Sequence, residues 1–214
     1  LGPTKRVTHV REEIFVVSEK PGSKSFSMLR EFVPADMLTL ANASAGAGCV
    51  FCCLQYLAEG QEPLYLRMAF LLVPVAFVMD ALDGWVARKM RRSSMLGLDL
   101  DSLADVVSFG VAPAVVGFTL GLRGGWDTLI LIYFIACGIS RLARFNVTAE
   151  ELSDDSGKVK YFEGTPIPTS MFIVFMLAIA YYTGATGDDD IWGGFVFFLS
   201  MKLHPLTLVY ALSG

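Results

Sequence analysis

Charge is scarce in this sequence. Only 18% of its 214 residues are Asp, Glu, Lys or Arg, against about 25% in an ordinary soluble domain. The net charge is −4, which leaves no basic face for nucleic acid and argues against that class of partner. Histidine occurs only as His9 and His204, far apart in the chain. Cysteine occurs as Cys49, Cys52, Cys53 and Cys137, all inside apolar runs. Cys49-x-x-Cys52 has no second pair and no histidine cluster beside it, so buried reduced side chains fit better than a zinc or redox site. A cleavable signal peptide is also missing from the start, because residues 1–34 are polar and mixed. The opening Leu1-Gly2-Pro3 without Met and the ending at Ser213-Gly214 read as a trimmed fragment.

Long apolar runs fill the place that charge leaves. The chain is 54% hydrophobic, with a mean hydropathy of +0.54, so most of it is expected to be solvated by lipid. About 20 mostly apolar residues cross a bilayer as a helix. Met37–Ala58 has no charged residue and gives a first span. Leu64–Val86 gives a second, Asp101–Leu122 a third with Pro113 inside it, Gly124–Phe145 a fourth and Pro166–Thr186 a fifth. Ile191–Met201 is too short to span, and a sixth span begins near His204 and is clipped by the chain end. The expected fold is all-α, a polytopic membrane helix bundle of about six transmembrane helices over residues 35–214. Residues 1–34 form a cytosolic N-terminal segment. Within it Phe26, Leu29, Phe32 and Val33 recur at helical spacing, which fits a helix lying on the membrane surface or a flexible tail.

Lys and Arg sort to one side of these spans. Lys5, Arg6, Arg11, Lys20, Lys24 and Arg30 precede the first span; Arg88, Lys89, Arg91 and Arg92 follow the second; Arg141 and Arg144 stand at the end of the fourth, with Lys158 and Lys160 after it. The opposite side holds Arg67 and Arg123, with Lys202 ambiguous. Positive charge stays cytosolic, so the turn after the second span is expected to face the cytosol. The Asn-x-Ser/Thr sequons at Asn42 and Asn146 then fall within a span and on the cytosolic face, and neither is expected to carry a glycan.

Four carboxylates surround that turn. An ionisable group deep in a span costs about 2.5–3.5 kcal/mol on insertion scales, so it needs a function. Asp80 and Asp83 are three apart, and Asp101 and Asp105 are four apart, so each pair shares a helix face. Such a cluster repels itself unless a cation neutralises it. Oxygen ligands suit hard divalent ions, Mg²⁺ or Mn²⁺, and a pair of such ions suits phosphoryl chemistry. From Asp80 the chain runs Asp-x-x-Asp-Gly-x-x-Ala-Arg, then eight residues, Gly97, three residues, Asp101, three residues and Asp105.

That string resembles the signature of the CDP-alcohol phosphotransferase family at every fixed position. The resemblance implies that Gly84, Ala87 and Arg88 contact the CDP moiety. It implies that Asp80, Asp83 and Asp101 hold metal, two divalent ions per subunit, and that Asp105 is the general base on the incoming hydroxyl and also touches metal. Gly84 and Ala87 alone would read as close helix packing; inside the full motif the nucleotide reading prevails. Ala35-Asp36-x-x-Thr39-x-x-Asn42 stands where many relatives have Pro-Asn-x-x-Thr against the cytosine. Asp36 departs from that pattern, and Asp36 and Thr39 also suit a simple helix start.

The acceptor alcohol must be read elsewhere. Ser140–Asn146, Phe162–Pro168 and His204–Tyr210 resemble the phosphatidylserine-forming branch of the family, the last of them its eukaryotic, fungal-type members. The resemblance covers residues 34–214 and implies CDP-diacylglycerol and L-serine as substrates, a homodimer, and the endoplasmic reticulum membrane with the site facing the cytosol. Arg141 and Arg144 would hold the serine carboxylate, Asn146 would orient its amine or hydroxyl, and Phe145 would shape the pocket wall. Lipid head groups at the interface are the plainer use of both arginines. Inositol or glycerol 3-phosphate would keep the fold and change the acceptor. A cation transporter would also explain intramembrane carboxylates, but not the spacing Gly84-x-x-Ala87-Arg88.

Overall fold

The computed structural model describes residues 34–90, 95–152, 170–186, 191, 194–198 and 201–214, all within the unit Val33–Gly214. The expected N-terminal segment and the stretch Phe162–Pro168 lie outside the described residues, as do Arg91 and Arg92. Among the described residues four helices are long and apolar enough to cross a membrane. Helix α1, Pro34–Ala58, and helix α2, Pro63–Met90, form the first pair. Between them Gly60 and Gln61 take left-handed φ values of 70° and 68°, and the Gln61 N–H closes the end of α1 on the Tyr56 carbonyl at 2.9 Å. Pro63 then opens α2, where a missing N–H costs nothing.

The third span is one helix of three parts. Helix α3, Met95–Asp105, passes into a π-helical segment, Val106–Val111, and then into helix α4, Ala112–Leu120. Pro113 has no N–H, and its ring crowds the carbonyl four residues back. The chain widens there: the Ala112 N–H reaches the Val107 carbonyl, five residues back. Such π-bulges collect at functional sites, and this one follows Asp105 directly. At the other end Gly121 (φ 130°) stops α4, and the Arg123 guanidinium donates to the Phe118 and Thr119 carbonyls, both at 3.0 Å.

Helix α5, Gly125–Leu152, is the fourth span and continues past it. Helix α6, Ser170–Tyr182, lies within the expected fifth span, and its 13 described residues make about 20 Å of helix. The apolar stretch after it makes a hairpin instead of a helix. Strands β1, Val196–Phe198, and β2, Met201–Leu203, pair antiparallel with Phe197 opposite Lys202. A run of aromatic and β-branched residues suits a strand. Helix α7, Thr207–Ser213, begins just after Pro205, where the sixth span was expected.

The core lies where α1, α2, α4, α5, α6 and α7 meet, around Cys49, Cys53, Leu66, Val73, Val116, Leu177 and Tyr210. The outer faces are apolar too: Phe51, Leu71, Leu129, Ile132, Phe172 and Phe175 are exposed. A soluble monomer does not present that much apolar surface. The fold is all-α and polytopic, and the protein is an integral membrane protein.

Candidate active site

Helix α1 presents three polar side chains at a spacing of three, and Asp36, Thr39 and Asn42 are all buried. Two of them reach the carboxylates of the neighbouring helices. Thr39 Oγ1 lies 2.7 Å from Asp83 Oδ2, and Asn42 Nδ2 donates to Asp105 Oδ1 at 3.3 Å. Thr39 Oγ1 also lies 3.2 Å from the Ala35 carbonyl one turn back, so the hydroxyl has a local helical partner as well as the shorter link to Asp83, 44 residues away.

Asp80 from α2 and Asp101 and Asp105 from α3 converge. Each offers a carboxylate oxygen, and the three oxygens lie within 4.8 Å of one another. At that spacing like charges repel by about 3 kcal/mol per pair at an effective dielectric of 20, so the cluster calls for a counter-charge. Asp101 Oδ1 is buried and has no hydrogen-bond partner, which is costly for a carboxylate left alone and fits an oxygen reserved for a cation. The three half-buried carboxylates offer hard oxygen donors of the kind divalent cations select. Asp83 is not one of these three. It is buried and faces Thr39 on α1.

The site is braced from α1. Ser108, in the π-helical segment, donates to the Asn42 carbonyl at 3.0 Å. Gly46, one turn along α1, allows that approach: a Cβ there would stand 2.5 Å from Ser108 Oγ and 2.7 Å from Ser108 Cα. The α1 backbone is thus held against the turn that follows Asp105, with Asn42 aimed at the carboxylate.

Gly84, Ala87 and Arg88 close the second span. A Cβ on Gly84 would touch Arg88 Nη1 at 3.4 Å, so the guanidinium lies back over the glycine. Arg88 is exposed, open to an anion from outside.

Helix α5 carries the expected acceptor residues, and they point different ways. Arg141 lines a cavity with Val106, Phe109, Gly138 and Ser170; its Nη2 also lies 3.3 Å from the Ser213 and Gly214 carbonyls. Ser170 Oγ in that cavity is buried and unpartnered. Arg144 is exposed and lines a separate recess with Ser140, Ala143 and Val147. Phe145 is exposed. Asn146 Nδ2 donates to Ser102 Oγ at 2.8 Å, tying α5 to the residue after Asp101.

Sequence reasoning missed Ser102, Ser108 and Ser170. Ser102 and Ser108 flank Asp105 at offsets of three, a helical spacing that carried a usable signal. Asp127 was also missed. It is buried and accepts from Gly124 N at 2.9 Å, His204 N at 2.8 Å and Thr207 Oγ1 at 2.6 Å, with His204 Nδ1 at 2.5 Å. No local pattern links Asp127 to residues so far along the chain.

Residues 32–210 match the model of the CDP-alcohol phosphatidyltransferase family. The chain belongs to that family. The CDP-diacylglycerol–serine O-phosphatidyltransferase of Saccharomyces cerevisiae is 42% identical over 191 residues, covering 88% of this chain and 69% of the yeast protein. The archaetidylserine synthase of Methanothermobacter thermautotrophicus is 37% identical over 138 residues, 63% of this chain and 53% of that one. The CDP-diacylglycerol–serine O-phosphatidyltransferase of Mycobacterium leprae is 35% identical over 130 residues. This chain therefore spans 53% of the archaeal relative and 43% of the mycobacterial one. In a CDP-alcohol phosphatidyltransferase, the converging Asp80, Asp101 and Asp105 are an acidic site of the kind that holds a divalent cation.

Proposed function

We propose that the protein transfers a phosphatidyl group from CDP-diacylglycerol to the hydroxyl of L-serine, giving phosphatidylserine and CMP. The observation that carries the transfer chemistry is the convergence of Asp80, Asp101 and Asp105 from two consecutive spans. Serine as acceptor rests on the yeast relative, whose name specifies it.

In this reading Asp80, Asp101 and Asp105 hold Mg²⁺ or Mn²⁺, two ions per subunit, with Asp83 beside them. Bound there, the cations spread the negative charge that develops on the phosphate oxygens. The chain's own residues do the rest. Arg88 binds the donor's diphosphate with its planar fork, Gly84 and Ala87 leave the helix open to the nucleotide, and Asp36, Thr39 and Asn42 border the base. The serine hydroxyl oxygen attacks the lipid-linked phosphorus, its proton passes to Asp105, and the bond to the CMP oxygen breaks. Asn42 keeps the Asp105 carboxylate oriented for that transfer. Arg141 binds the serine carboxylate from the cavity it lines, and Arg144 draws serine in by its charge from the separate recess one turn along α5. Asn146 orients the acceptor through α5, and Phe145 borders the pocket. The burial of an unpartnered Ser170 Oγ in the Arg141 cavity supports a polar occupant there.

The carboxylates face the cytosol of an endoplasmic reticulum membrane in this reading, and the enzyme works as a homodimer. Purified protein given CDP-diacylglycerol and Mn²⁺ is offered serine, inositol and glycerol 3-phosphate in turn. Serine-dependent CMP release is the expected result. CMP release with glycerol 3-phosphate or inositol and none with serine would overturn the acceptor assignment while leaving the transfer chemistry in place.

A further inference from the structure

The β1–β2 hairpin has no part in the site above, yet its side chains are conspicuously apolar. Val196, Phe197 and Phe198 are 57%, 64% and 56% exposed. A ribbon this short does not hold itself together in water; this one is held from one side. A Cβ on Gly124 would collide with the Lys202 carbonyl, and one on Gly125 with the Met201 side chain, so the two glycines form a flat seat for β2. Trp126 Nε1 donates to the Phe198 carbonyl at 2.7 Å, with the two rings 5.7 Å apart. Asp127 fixes the residue after β2 through the His204 N–H and ring. The hairpin therefore has a set depth relative to the first turn of α5.

That depth is a membrane boundary. The continuous helix from Asp101 to Leu120 advances roughly 30 Å at 1.5 Å per residue, the thickness of the hydrocarbon core. The start of α5 thus lies on the side opposite the carboxylates. Along α5, Trp126, Leu129 and Tyr133 follow at helical spacing, and Leu129 and Tyr133 are exposed. The lipid-facing stripe of the fourth span runs through Trp126 onto Phe198 without a break.

We infer that the Val196–Leu203 hairpin inserts Val196, Phe197 and Phe198 into the bilayer leaflet opposite the carboxylate site, as an interfacial anchor. Continuity with the α5 stripe selects lipid as the occupant. Trp126 sits where amphipathic rings gather at the head-group level. Lys202, with Nζ 4.3 Å from the Phe195 ring centre, has the long stem that lets a cation reach water from an apolar surface. Because His204 and Thr207 are tied to Asp127, the anchor also sets the depth at which α7 begins. The inference holds whatever alcohol the enzyme accepts.

Site-directed spin labelling tests it. Cys52 and Cys137 are replaced by alanine, Phe197→Cys is labelled, and the protein is reconstituted in phosphatidylcholine vesicles. Glu62→Cys, on the exposed turn between α1 and α2 at the same membrane side, is the aqueous reference. The expected label at 197 is relaxed strongly by oxygen and about fivefold less than the reference by the water-soluble nickel chelate, as for a site within the hydrocarbon. Nickel accessibility equal to the reference would mean a loop in water and would overturn the inference. Exclusion of both reagents with spin–spin broadening would mean a contact between copies and would overturn it equally. Val196→Cys gives a second reading by the same criteria should Phe197→Cys accumulate poorly.

Discussion

Asp105 combines a carboxylate oxygen in the acidic cluster with a hydrogen bond from Asn42, and these two features make separate predictions. Asp105→Asn keeps the shape and removes the base, so CMP release should vanish while CDP-diacylglycerol binding stays within a few-fold of wild type. Equal loss of both would make Asp105 chiefly a metal or packing residue. Asn42→Ala removes the donor and should lower kcat at least about tenfold, since a hydrogen bond to a charged group contributes about 1.5–3 kcal/mol; an unchanged kcat would deny Asn42 an orienting role. Arg144→Ala should raise the serine requirement more than the CDP-lipid requirement, and an unchanged serine KM would deny Arg144 a part in drawing serine to the site. At this scale the sequence was most informative about the motif, because Asp80, Asp101 and Asp105 lie on consecutive helices whose spacing can be counted. It was least informative about partners: that Asp83 faces Thr39, or that Arg141 and Arg144 line different recesses, depends on how helices rotate against one another.

Among the elements, the third span decides how the site is held. Pro113 forces its helix to adjust, but where the wide turn falls depends on its neighbours. Gly46 admits Ser108 from one side, and the Tyr210 hydroxyl donates to the Pro113 carbonyl at 2.7 Å from the other. Gly46→Val would force α1 off the π-helical segment. Overpacking of this kind costs about 1–3 kcal/mol, so thermal stability should fall and CMP release should fall with it. Normal stability and turnover would show that the close approach is dispensable. Tyr210→Phe removes one buried hydrogen bond, about 1 kcal/mol, and should lower the melting temperature by about 2–4 °C. The hairpin was not foreseen, because Phe195-Val196-Phe197-Phe198 reads equally as a membrane segment too short to cross. Its assignment as a strand depends on the seat that Gly124 and Gly125 provide.

Over the whole molecule, a catalytic end and an anchoring end lie about one bilayer apart, joined by the third span. Composition and charge placement made the all-α membrane architecture legible, since long uncharged runs have few other uses. The clasp at the far end was not legible, because Asp127 and His204 are brought together only by the folded chain. Asp127→Leu would leave the Gly124 and His204 N–H groups, the His204 ring and the Thr207 hydroxyl without their shared acceptor, at a cost of about 3 kcal/mol or more. The segment from β1 to α7 should then become far more sensitive to limited proteolysis, with the α1–α2 pair protected. Phosphatidyl transfer by this protein requires the carboxylate cluster to be a divalent-cation site. The direct measurement is CMP released per serine consumed by purified protein with CDP-diacylglycerol, before and after chelation and in Asp101→Asn. One CMP per serine, lost on chelation, restored by Mn²⁺ or Mg²⁺ and absent in the variant, is the expected result. Serine consumption that survives chelation, or an Asp101→Asn protein as active as wild type, would contradict it.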